Sequence, residues 1–134
     1  MFHTVLLAYD GTQASDAAFE QAAKLAREAH RPLHVVAVAW SAEAETHVAL
    51  DKARLQCWQR LQALRDRDVA AQVELELEVV DGNPSEQIVA AAQRLDADLL
   101  VIGHRRRSLA CRMAEASVAK RVIDHSPCMV MVAC

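Results

Sequence analysis

Glycine and proline are scarce, with three of each among 134 residues. Long irregular loops are therefore excluded, and most of the chain belongs in helices or strands. No apolar run approaches the ~18 residues of a membrane span. The opening Met1-Phe2-His3-Thr4 lacks the basic start of a secretory signal. Cys57, Cys111, Cys128 and Cys134 form no C-x-x-C pair, so neither zinc nor a disulfide framework is expected, and the thiols read as buried or incidental. A redox role for Cys111 or Cys128 is a remote alternative. His3, His30, His34, His47, His104 and His125 have no metal-ligand spacing. There is no Walker lysine, nucleophile elbow or paired-carboxylate motif, and no catalytic residue is assigned. The formal net charge of −3 argues against a general binder of nucleic acid or anionic membrane. No repeat, linker or low-complexity tract breaks the chain. With 53% hydrophobic and 25% charged residues, disorder is ruled out and a single soluble, cytoplasmic domain over 1–134 is expected.

What the chain does have is alternation. Apolar, β-branched runs at 4–9, 33–39, 72–80, 98–102 and 128–133 are separated by Ala-rich, charged stretches at about 13–29, 42–67, 84–95 and 112–125. Strand and crossover helix in turn predict an α/β fold: a three-layer, open, parallel sheet with helices on both faces. The first, second and fourth runs are almost continuously apolar, as strands covered on both sides must be. The third alternates, with Val73, Leu75, Leu77 and Val79 against Glu74, Glu76 and Glu78, which predicts an edge strand with one wet face. Ala17, Ala18, Ala22, Leu25 and Ala29 form a small-residue stripe on the first helix. Leu50, Leu55, Trp58, Leu61 and Leu64 are available to bury on the second. Trp40 and Trp58 read as core or rim packing, or alternatively as a pair that stacks on a ligand. Asn83 and Pro84 mark the start of the third helix, whose apolar positions Ile88, Val89, Ala92 and Leu95 fit a 3.6 period. Ser126-Pro127 ends the fourth.

Ligands of such sheets lie beyond the carboxyl ends of the strands, where strand order reverses. Two turns leave strands there: Asp10-Gly11-Thr12, and Gly103-His-Arg-Arg-Arg-Ser108. Asp10 can accept a ribose hydroxyl, hold Mg²⁺ through water, or cap the first helix. His104 reads as a hydrogen-bonded loop residue. The apolar surroundings of Ala8 and Val38-Ala39 would admit a base.

The blocks Val5-Leu-Leu-Ala-Tyr-Asp-Gly-Thr12, Val101 to Val122 and His125-Ser-Pro-Cys-Met-Val-Met-Val132 resemble the universal stress protein family. The resemblance spans the chain and implies an adenine nucleotide alpha hydrolase-like sheet of order 3-2-1-4-5. It also implies homodimerisation through the last strand, residues 128–133, whose apolar edge would otherwise be exposed. ATP-binding members carry Gly-x-x-Gly, a spacer, then Gly-Ser or Gly-Thr. The matching positions here are Gly103, Arg106, Ala116 and Ser117, so both inner glycines are replaced. A left-handed backbone at Arg106 would cost roughly 1–2 kcal/mol. Arg105, Arg106, Arg107 and Arg112 offer guanidinium groups that could hold phosphate in its place, or dock an acidic partner. Ser117 and Ser108 read as capping hydroxyls, with modification as the alternative. The family-matched binding positions are Ala8, Asp10, Val38, Gly103, Arg106, Ala116, Ser117 and Val118. The resulting expectation is a non-catalytic stress-response homodimer that binds a protein partner, with a modified cleft and no cofactor or metal. The alternative is a sensor of ATP or ADP with Mg.

Overall fold

A computed structural model describes residues 2–40, 47–104 and 118–133. The elements are β1 (Val5–Ala8), α1 (Gln13–Glu28), β2 (Leu33–Ala39), α2 (His47–Ala71), β3 (Leu75–Asp81), α3 (Pro84–Arg94), β4 (Leu99–Gly103) and β5 (Met129–Ala133). A further helical stretch covers 118–125. All five strands are parallel, in the order β3-β2-β1-β4-β5, as expected.

Strand alternation sorts the core into two layers. Odd-numbered residues of the central strands (Val5, Leu7, Val35, Leu99, Val101) meet Ala18, Phe19, Ala22 and Ala26 of α1 and Cys57, Leu61 and Leu64 of α2. Even-numbered residues (Leu6, Val36, Leu100, Ile102) meet Ile88, Ala91 and Ala92 of α3 together with Val122. Each fully buried Leu or Val contributes about 1.5–3 kcal/mol through removal from water.

Helix ends follow local chemistry. The Thr12 hydroxyl accepts the Ser15 N–H at 3.2 Å, and Asn83 Oδ1 accepts the Glu86 N–H at 3.2 Å, with Pro84 next in line. With glycine so scarce, the C-terminal turns after α1, α2 and α3 use His30, Gln72 and Asp96 at positive φ instead. After α1 the closing bond runs from Arg31 N–H to Ala26 O at 3.0 Å, and after α3 from Ala97 N–H to Ala92 O at 2.9 Å.

Several expectations are corrected. The third strand starts at Leu75 rather than at 72, because α2 continues to Ala71 and Gln72 turns the chain at φ 56°. On α1 the buried line runs through Ala14, Ala18, Phe19, Ala22, Ala23 and Ala26, which leaves Ala17, Leu25 and Ala29 on its flank. Among the described residues of α2 the buried positions are Cys57, Leu61 and Leu64, while Leu55 and Trp58 face solvent. Burial also pushes the Cys57 thiol pKa up. The glutamate face of β3 is not simply wet: Glu76 meets His34 at 3.2 Å, and Glu78 pairs with Arg94 of α3. Cys57 and Cys128 are free thiols. Cys111, Cys134 and the expected helix over 112–117 lie outside the described residues.

Candidate functional site

The chain leaves β1 toward β2 and β3, then returns to place β4 on the other side of β1, so strand order reverses between β1 and β4. A cleft of about 260 Å³ opens there, at the carboxyl ends of the strands. Its floor is apolar: Ala8 from β1, Val36 and Val38 from β2, and Ile102 from β4. Pro84 and Ile88 of α3 form one wall, and Val118 and Ala119 another. Tyr9, Asp10, Ser15 and Gly103 complete the rim. A larger groove of about 480 Å³ lies between α3 and the stretch 118–125, lined by Glu86, Gln93, Arg121 and His125 among others. That groove runs between helix surfaces, away from the strand ends, so the smaller cleft is the candidate.

The structure therefore brings together Ala8, Asp10, Val38, Gly103 and Val118. Arg106, Ala116 and Ser117 lie outside the described residues, as do Arg105, Arg107, Ser108 and Arg112. Asp10 does not cap α1. Its Oδ1 accepts from the Thr12 N–H at 3.0 Å and from the Thr12 hydroxyl at 2.7 Å, and Thr12 is the cap. The exposed carboxylate thus braces the turn and remains at the cleft rim. Gly11 sits at φ 82°, so the turn needs glycine for its backbone, and a side chain there would also have to displace the Arg60 side chain, whose Cδ would lie 2.9 Å away.

Gly103 has a second role that its spacing did not reveal. A Cβ on it would lie 2.4 Å from the Ala14 carbonyl carbon and 2.6 Å from the Ser15 nitrogen. The bare backbone lets β4 abut the first turn of α1 directly. His104 is not part of the lining. Its backbone N–H donates to Ala133 O at 2.8 Å, and its buried Nδ1 has no hydrogen-bond partner among the described residues.

Tyr9 was not anticipated. Its hydroxyl donates to Asp16 Oδ1 at 2.6 Å, Arg67 of α2 reaches the same oxygen at 2.8 Å, and the Arg67 guanidinium lies 5.9 Å from the Phe19 ring centre. Burial, the hydrogen bond to Asp16 and the Asp16 charge push the phenol pKa up to about 12, against a smaller opposing pull from Arg67. The chain Tyr9–Asp16–Arg67 ties the end of β1 to two helices and fixes the residue next to Asp10. Val36, Ile102 and Ile88 were legible only as core; the alternation that puts Val38 in the cleft puts the first two there as well. Among the described residues no cluster of three His, Cys, Asp or Glu could hold a metal ion.

A doubly wound parallel sheet with an apolar cleft at its switch point is the class that fold and cleft define. The universal stress protein family matches residues 1–133, and the chain belongs to that family. A universal stress protein of Methanocaldococcus jannaschii is 37% identical over 60 residues, a match spanning 45% of this chain and only 35% of that relative. The fold is similar to that of UspA from Lactobacillus plantarum (26% identity, 100% and 99% of the two chains covered, TM-score 0.79). It is also similar to a universal stress protein solved in complex with cAMP (25% identity, 99% and 97% covered, TM-score 0.76).

Proposed function

We propose that this chain is a stress-response module whose cleft binds an adenosine monophosphate-type nucleotide as a regulatory ligand rather than as a substrate. The observation that carries this reading is the cleft itself: an apolar slot of about 260 Å³ ending at the Asp10 carboxylate. The slot suits a planar base, and the exposed carboxylate suits the ribose hydroxyls. The relative with bound cAMP supports the same assignment. Among the described lining residues the ionisable side chains are Tyr9 and Asp10, one holding its proton against Asp16 and the other occupied with Thr12. Neither is placed as a nucleophile or a proton shuttle, which supports ligand binding without turnover. In support of a ligand with fewer phosphates, Arg106 and Ala116 stand where ATP-binding members of the family carry the inner glycines.

Calorimetric titration with AMP, cAMP and ATP tests the reading. Saturable binding of AMP or cAMP, with ATP weaker, is expected. Absence of heat with all three, or tightest binding to ATP, would overturn it.

The module acts on a protein partner as one cytoplasmic domain, 1–134, and as a homodimer through β5. In support, β5 is an edge strand with Met129 64% and Val132 39% exposed. Ala133 turns its carbonyl toward β4, so Val130 and Val132 turn their peptide groups to the open side. Val132→Pro would remove an outward N–H and leave the ladder to β4 intact. Light scattering should then give a dimer for the parent and a monomer for the variant; a parent monomer would refute the pairing.

A further inference from the structure

Trp40 is the first residue after β2, and 59% of it is exposed. The strand geometry is intact up to that point, because the Gly82 N–H donates to Ala39 O at 3.2 Å. Alternation along β2 sends odd-numbered side chains to α2 and even-numbered ones to the α3 face, where Val36 and Val38 line the cleft. The neighbouring strand obeys the same rule: Val80 packs on the α3 side, and Asp81 turns to Arg54 of α2. Position 40 therefore falls on the cleft side, one pleat (about 7 Å) beyond Val38. Its indole is unlike the other exposed tryptophan, Trp58, which belongs to α2 on the opposite face of the sheet.

From this placement we infer that Trp40 stacks on the purine base of the bound nucleotide and closes the mouth of the cleft. The inference rests on the nucleotide reading above and adds the residue that selects for a planar aromatic base. Ala8, Val38 and Ile102 supply one apolar surface, and none of them has a ring to lay against the other face of a base. Trp40 does not line the cleft in this structure, and its exposed indole supplies that face by turning over the base when the nucleotide is bound. Large, flat and held by few torsions, it loses little freedom on stacking.

The test uses the Trp58→Phe protein, in which Trp40 is the sole tryptophan. Titration with AMP should change Trp40 emission to saturation, with the midpoint that calorimetry gives. Trp40→Ala in the parent should weaken AMP binding by roughly tenfold, and Trp40→Phe should recover most of that loss. Unchanged affinity in Trp40→Ala, or silent emission while calorimetry records binding, would overturn the inference and leave the cleft reading standing. No heat from the parent protein would overturn both.

Discussion

On the α1–α2 side of the sheet, Val5, Leu7, Leu61, Leu64 and Val101 are sealed from solvent, and Gly103 lets β4 lie against backbone. On the α3 side, Leu6 and Leu100 are equally sealed, but nearer the carboxyl ends Ala8, Val38 and Ile102 look into a cleft. Both faces grow from the same strands by simple alternation. The difference lies in what faces them: on one side α1 and α2 deliver Phe19, Leu61 and Leu64, on the other α3 presents Ile88, Ala91 and Ala92 and the stretch 118–125 presents Val122, while Pro84, Ile88, Val118 and Ala119 stop at the cleft walls. The cleft is a packing deficit at one end of that face, beside an opposite face that is full.

The strongest challenge to that contrast is Leu61→Ala. It should cost about 2–5 kcal/mol in denaturant unfolding, since the filled face cannot collapse around the void. Gly103→Ala comes next: the new methyl must push β4 off Ala14, at about 1–3 kcal/mol, and calorimetry should show AMP binding lost with it. Tyr9 then sharpens the boundary between the faces. As the chain's sole tyrosine, its ionisation is read directly at 295 nm. The midpoint should fall at about 12, and Asp16→Asn should move it down toward the ordinary value of 10.0. Because the folded pKa is raised, this stabilisation is full below the unfolded value and is lost as pH climbs through the folded one. Tyr9→Phe should cost about 1 kcal/mol. Smallest of all is Ala8→Leu, which fills the cleft floor: stability should stay within about 0.5 kcal/mol while AMP binding disappears. A large loss of stability would mean the cleft is core after all.

Much of the architecture was legible because it rests on local patterns. Continuous apolar runs marked the central strands, the alternating glutamates placed β3 at an edge, and Asn83-Pro84 announced α3. The cleft was located by strand order and by the turn after β1. What escaped depends on distance in sequence or on backbone. Arg67 reaches Asp16 from 51 residues away, and no local pattern couples them to Tyr9. The contact of Gly103 with α1 involves main chain alone, so it leaves no side-chain signature. Leu55 and Trp58 are apolar but out of phase with the line through Leu50, Cys57, Leu61 and Leu64, which takes the buried side of α2 and turns them outward.

The two margins of the sheet have unequal prospects. Beyond β3, a further copy of that strand laid antiparallel would bring carboxylates such as Glu76 and Glu78 against their own kind, which is repulsive. Beyond β5, Met129 to Ala133 offers nothing that objects to a twin. A molecule extendable on one flank alone can join a single counterpart, after which both are saturated. If β5 pairs with its twin, growth into ribbons or fibrils stops at that pair.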